Sequence, residues 1–204
     1  MIVVVDFGMG NIWSVSSALN FLDAPHLISS EPKVVQEADT LILPGVGSFG
    51  KAMKTLDDKG LSETIIEVVT QKQRKILGIC LGFQLMAEIG TEDGTTKGLG
   101  LFPGTVDHFR TDGINDKKIP HIGFNDITIL SSGSLLGGLQ ENVDFYFDHS
   151  YRIIASDLDD ALAICDYGVK FVAALQKENI FATQFHPEKS QTNGLKVLSN
   201  FLKA

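Results

Sequence analysis

The chain has 204 residues, 44% hydrophobic and 21% charged, with a formal net charge of −8 at neutral pH. That length suits a single domain, 1–204, with a sizeable core, and the composition is that of an ordinary soluble globular protein rather than a disordered one. An acidic balance argues against nucleic-acid and anionic-membrane partners, which reward clustered Lys and Arg; a small molecule or another protein is expected instead.

Met1 is followed at once by the apolar run Ile2–Val5 and then Asp6, with no basic leader and no export core. No run approaches the about 18 apolar residues of a spanning helix. Two cysteines, Cys80 and Cys165, are too few for a secreted disulfide framework, so a reducing, cytoplasmic setting is expected.

Ile2–Val5 is a β-branched run of the kind buried on both faces of a parallel sheet, and Asp6–Asn11 leaves it as a glycine-rich loop. Val15, Ala18, Leu19 and Leu22 then mark one face of a helix. Gly8 and Gly10 begin a dinucleotide-type pattern, but Trp13 stands where the third glycine belongs, which excludes a nucleotide site there. Leu27-Ile28 reads as a short strand and Thr40–Leu43 as a clearer one, running into the loop 44–50. That loop holds Gly45, Gly47 and Gly50 without a P-loop ending; its bare amides suit an oxyanion better than a phosphate. Leu61, Ile65, Val68 and Val69 form the next helical stripe, closed by the polar cluster Gln71–Lys75. This β-α alternation predicts a parallel sheet with right-handed crossovers.

Ile76–Ile79 reads as a buried strand, Cys80 as the residue on the bend, and Leu81–Ile89 as a helix with Leu85, Met86 and Ile89 facing inward. Glycines 78 and 82 flank Cys80 as they flank the serine of a nucleophile elbow. A thiol at such a corner faces helix N–H groups that favour thiolate and can hold an oxyanion. A buried cysteine acting as a small hydrophobe is the plainer alternative.

Beyond Gly90 the texture becomes antiparallel. Val106–Phe109, Ile122–Ile129, Phe145–Tyr151 and Leu162–Tyr167 read as strands, with Cys165 buried in the last. Thr111–Lys118 reads as a polar loop, and Phe171–Gln176 with Phe181–Phe185 as a hairpin. Leu195, Leu198, Phe201 and Leu202 mark a closing helix. His186-Pro187-Glu188 follows the last strand, and an imidazole with a carboxylate two residues away makes a base and its orienter, or else a surface loop histidine. His26 and His108 carry no assignment. No Cys/His cluster has zinc-ligand spacing, so neither metal nor cofactor is expected.

Together, Gly78-Ile79-Cys80-Leu81-Gly82 with Gln84, and His186-Pro187-Glu188, resemble the class I, or triad, glutamine amidotransferases. The resemblance implies a flavodoxin-like α/β fold: a central, mostly parallel sheet with helices on both faces and an added antiparallel portion. It implies Cys80 as nucleophile on the glutamine amide, His186 as proton shuttle and Glu188 as its orienter. Gly45, Val46, Gly47 and Leu81 would form the oxyanion hole; Gln84, His149, Ser150 and Tyr151 would hold glutamine; and Asn11 and Lys189 would lie towards a partner. His121 would line the glutamine or partner surface. A cysteine peptidase of related fold would have His after the nucleophile, where this chain has Leu81.

Within the class the chain most resembles glutaminase subunits of histidine biosynthesis, which pair as heterodimers with a β/α-barrel cyclase that receives the ammonia. The resemblance runs through 6–11, 43–47, 120–123, 146–151 and 185–190. Phe124 and Asp148 depart from that pattern. Phe124 and Phe83 match instead sister proteins that supply an N-acetyl sugar amidotransferase in surface-polysaccharide synthesis. A third reading, an inactive regulatory subunit, fits poorly with all three triad residues being present.

Overall fold

The computed structural model describes residues 1–112, 117–131, 133–154 and 160–204. Its first part alternates β1 (Ile2–Val5), α1 (Ile12–Phe21), β2 (His26–Ser29), α2 (Pro32–Gln36), β3 (Thr40–Gly45), α3 (Phe49–Asp58) and α4 (Leu61–Ile66). A π turn, Glu67–Gln71, leads to β4 (Lys75–Cys80) and α5 (Leu81–Leu85). There follow β5 (Ile89–Gly90), β6 (Thr96–Lys97), β7 (Thr105–His108), β8 (His121–Ile129), β9 (Asn142–His149) and β10 (Tyr151–Ile153). The chain closes with β11 (Ala161–Asp166), β12 (Lys170–Lys177), β13 (Ile180–Thr183) and α6 (Gln191–Lys203).

Nine strands form the main sheet in the order β2-β1-β3-β4-β13-β12-β11-β8-β9. The first five run parallel and the last four join antiparallel, which is the α/β architecture with an antiparallel extension that the sequence implies. Alternation along the central strands splits the core between the two faces. Val3, Val5, Leu41 and Leu43 pack with Ala52, Met53, Leu56, Leu61 and Ile65 of α3 and α4. Val4, Ile42, Leu77 and Ile79 pack with Val15 and Leu19 of α1 and with Val197, Leu198 and Phe201 of α6. Strands so buried on both faces carry apolar residues at successive positions, whereas β8 alternates buried and exposed side chains. Cys165 lies buried in β11, where loss of solvation pushes its thiol up to about 12.

Several sequence-based bounds change. The helix expected over 81–89 stops at Leu85, and Ile89 is a strand residue paired with Thr105 and Lys97. The pairing there is nonlocal: the carbonyls of Leu85, Met86, Ala87 and Glu88 accept from the amides of Leu99, Leu101, Gly100 and Gly98 rather than from a further helical turn. The strand expected over 145–151 breaks at Ser150, where the chain passes from the main sheet to a second sheet of order β10-β7-β5-β6. β3 runs on through Pro44-Gly45, and α3 begins at Phe49, inside the loop expected over 44–50. Of the loop expected over 111–118, residues 113–116 lie outside the described residues. Among the described residues no helix is long and apolar enough to cross a membrane.

The bend after β4 depends on close backbone approach. A Cβ on Gly82 would sit 1.7 Å from the Leu43 carbonyl oxygen, and one on Gly78 would sit 2.8 Å from Phe83 Cα. Backbone cannot give way as a flexible side chain can. Gly82→Ala is therefore expected to cost more than about 3 kcal/mol of stability, seen as a lower urea midpoint at unchanged slope.

Candidate active site

In the parallel part of the sheet, β3, β4 and β13 are neighbours, and their carboxyl ends lie together, as ligand sites in α/β sheets do. Gly45 ends β3 and pairs with Cys80 at the end of β4; Gln184 and His186 follow β13. Residues distant in sequence thus meet at one edge. Cys80 is 5% exposed and takes φ 53° and ψ −107°, a conformation that costs a non-glycine residue about 1–3 kcal/mol and turns its side chain out of the strand.

Cys80, Leu81, Gln84, Val46 and Gly47 line a cavity of about 310 Å³. His149, Ser150, Tyr151, Asp148, Pro120 and Glu92 complete its wall. Every substrate-binding position expected from the sequence is there except Gly45, which lies beneath the cavity floor, where a Cβ would press on Leu81 at 3.0 Å. The amides are less uniform than expected. Val46 N–H is donated to the Met9 carbonyl, 3.2 Å away, and so is turned from the cavity. Leu81 opens α5, and the first N–H groups of a helix have no partner within it.

His186 is held from both sides. Its N–H is donated to the Tyr146 carbonyl at 2.9 Å, and its carbonyl accepts the Ser190 hydroxyl at 2.6 Å. Ser190 Oγ in turn accepts Tyr146 N–H at 2.9 Å, which ties the loop after β13 to β9. Nδ1 of His186 donates to Glu188 Oε1 over 2.8 Å, with both side chains at most 2% exposed. Asn11 Nδ2 reaches the same oxygen at 3.5 Å, so this residue, expected to face a partner, also touches Glu188. Lys189 carries its ammonium 5.2 Å from the Tyr146 ring, beside the same loop.

Burial works against an imidazolium at His186, but its interactions with Cys80 and then with Glu188 outweigh it and push the ring up to about 10. The sign follows directly. Replacing Cys80 with Ala removes the largest influences that raise it, so His186 should release its proton at a lower pH in that variant. Titration of the imidazole nitrogens by NMR in the two proteins measures this, and an unchanged titration would separate the two side chains electrostatically.

His149 and His121 form a second, interior pair. His149 Nδ1 donates to the Tyr151 carbonyl at 2.7 Å, and its Nε2 lies 3.0 Å from His121 Nδ1. His121 Nε2 is 2.6 Å from Asn125 Nδ2. Donors and acceptors run consistently only if both rings are neutral, and loss of solvation lowers His121 to about 4 and His149 to about 3. Both nitrogens of His149 are thus committed inward, and its ring forms cavity wall. His26 is structural, bonded to Ser16 Oγ at 2.7 Å and the Ala24 carbonyl at 2.9 Å.

Four residues were not assigned to the site from the sequence: Pro120 and Asp148, which line the cavity, and Glu92 and Gln184. Glu92 brings a carboxylate to the cavity and accepts Phe49 N–H at 2.7 Å. Gln184 is fully buried beside Cys80, two positions before His186 on the same emerging strand, a signal the sequence did carry. Of the two departures, Phe124 is 46% exposed and Asp148 also stands at the surface. Phe83, the other likeness to the sister proteins, is wholly buried against Phe102, 5.5 Å between ring centres.

Residues 3–204 match the family described as Glutamine amidotransferase class-I. Imidazole glycerol phosphate synthase subunit HisH 1 of Campylobacter jejuni (strain RM1221) is 47% identical over 203 residues, covering 100% of both chains. Imidazole glycerol phosphate synthase subunit HisH of Bacillus subtilis (strain 168) is 43% identical, covering 100% of this chain and 96% of the relative. A solved glutamine amidotransferase superposes with a TM-score of 0.76 at 18% identity, covering 100% of this chain and 98% of the other, and so reports the fold alone. The glutaminase domain of Trypanosoma brucei CTPS does likewise, with a TM-score of 0.69 at 17% identity over 99% of this chain and 93% of the other. On the match over 3–204 and these full-length relatives, the chain belongs to the class I glutamine amidotransferase family.

Proposed function

We propose that this chain, acting as one domain, is the glutaminase subunit of an imidazole glycerol phosphate synthase. It releases ammonia from glutamine for a β/α-barrel cyclase partner in histidine biosynthesis, within the cytoplasm. The observation that carries the chemistry is the buried His186–Glu188 bond of 2.8 Å placed behind the Cys80 that lines the cavity. The relatives described above carry the pathway, and they do not favour the sugar-amidotransferase alternative.

In this reading the Cys80 sulfur attacks the side-chain amide carbon of glutamine, and the electron pair of the carbonyl moves to oxygen. The amides of Leu81 and Gly47, both in the cavity wall, receive that oxyanion. His186, charged and held by Glu188, gives its proton to the departing nitrogen as the C–N bond breaks, releasing ammonia and leaving a thioester. His186 then takes a proton from water, whose oxygen displaces sulfur to give glutamate.

Glutamine brings an α-ammonium that needs acceptors, and Glu92 in the cavity wall supplies a carboxylate. Gln84 Nε2 spends both hydrogens on the Tyr151 carbonyl and Gln184, at 2.8 and 3.0 Å, so it meets substrate through its oxygen, also an acceptor. His149 acts by fixing Tyr151. Asn11 and Lys189, flanking the triad, face the partner.

The test is glutamate release by the chain alone, then with the cyclase barrel from the same genome and its ribonucleotide substrate, then with a sugar amidotransferase encoded nearby. Strong stimulation by the cyclase is expected. Stimulation only by the sugar enzyme would move the pathway and leave the glutaminase chemistry standing.

A further inference from the structure

We propose that Gln184 holds the nucleophile: its side-chain amide, locked in one orientation by a buried relay, donates a hydrogen bond to Cys80 Sγ and favours the charged, attack-ready sulfur. This rests on Cys80 being the nucleophile and adds a residue to that mechanism. The contact is Gln184 Nε2 to Sγ at 3.7 Å, and Gln184 has no exposed surface.

The orientation of this amide is determined from outside it. A backbone carbonyl can only accept, so the Tyr151 oxygen requires the NH₂ end of Gln84, which it receives at 2.8 Å. The same Nε2 then presents its second hydrogen to Gln184 Oε1, 3.0 Å away. Gln184 must therefore direct its own NH₂ toward the sulfur. Turning it over would set donor against donor at Gln84 and oxygen against sulfur at Cys80. The Tyr151 carbonyl is itself held by His149 Nδ1–H at 2.7 Å, and His149 is backed by His121 and Asn125. The neutral histidine pair has no place in the proton transfers described above, and here it anchors the relay.

Cys80 Sγ has a second neighbour of opposite preference. The Asp148 carbonyl, 3.7 Å away, accepts from a thiol and has nothing to accept from a thiolate. Gln184 donates to the sulfur in either form and more strongly to the charged one. It is thus the contact that persists when the proton has gone, and it fixes the sulfur while His186 waits on the ring side.

Two substitutions test this in the full chain with its cyclase partner. Gln184→Met keeps length and packing but has no donor. It is expected to lower kcat by about ten- to a hundredfold, the span of a hydrogen bond to a charged group, with KM for glutamine within about twofold because Gln184 does not line the cavity. Alkylation of Cys80 by iodoacetamide at fixed pH should slow in parallel. Gln184→Glu keeps the bond from Gln84 but turns an oxygen to the sulfur, and should lose more than Met at pH 8. A packing role predicts the reverse order, since Glu is the closer fit. Thermal unfolding identifies any variant that fails to fold. Wild-type kcat and alkylation in Gln184→Met, a rise in KM alone, or the reversed order would each overturn the proposal. Cys80→Ala separates it from the underlying mechanism: full activity there defeats the mechanism itself, whereas an inactive Cys80→Ala beside an unaffected Gln184→Met defeats only the role of Gln184.

Discussion

Cys80→Ala is expected to remove glutamate release by about four orders of magnitude or more, since no neighbouring group can take the place of the sulfur. Folding should survive the change. Cys80 is a small side chain at the rim of one core cluster and the cavity wall, and Ala keeps the same backbone demands at φ 53°. The melting temperature should therefore stay within about 5 °C of wild type. The variant also isolates the ammonia-producing half of the reaction. With the cyclase present, an ammonium salt in place of glutamine should restore product, because only the source of ammonia has been lost. Retained glutaminase activity would refute the assignment of the nucleophile, and failure of ammonium to rescue would place Cys80 in the partner's reaction as well.

Glu188→Gln should lower kcat by about two to four orders of magnitude while leaving KM for glutamine nearly unchanged. Glu188 is buried behind His186, away from the cavity wall, and Oε1 accepts from both His186 and Asn11. An amide in its place keeps the shape but removes the charge that supports the imidazolium. Because Glu188 is one of the groups raising His186, the variant should also release the His186 proton at lower pH, the same direction as Cys80→Ala. Activity within threefold of wild type would show that the carboxylate neither orients nor charges the ring.

Cys80, His186 and Glu188 illustrate how much of a candidate site local chemistry can announce. Two glycines flanking a cysteine between an apolar run and a helical stripe specify a bend, and the backbone takes the strained conformation that the elbow reading required. His186 and Glu188 lie two residues apart across a proline, so their meeting is almost local. The glycine-rich 44–50 segment was legible as a loop at a strand end, but not the fate of each amide in it. Val46 N–H is donated to Met9, a residue of another loop, and nothing in the order Pro44-Gly45-Val46-Gly47 encodes that. Phe83, read as a likeness to the sister proteins, packs against Phe102 in the core, a contact with a distant residue that the order of residues around it does not encode.

By itself the sequence determined the alternating strands and helices of the first half, the antiparallel second half, the buried faces, the elbow at Cys80 and the His186–Glu188 pair. Each of these is set by side-chain periodicity or by contacts within a few residues, which a linear chain displays directly. Only the tertiary structure decided where α5 ends, why His149 faces inward, that Glu92 reaches the cavity and that Gln184 meets the sulfur. Those depend on which distant donor finds which acceptor. The strand order that brings β4, β13 and the β9–β10 corner together makes that choice, and a buried polar group accepts whatever partner the packing presents.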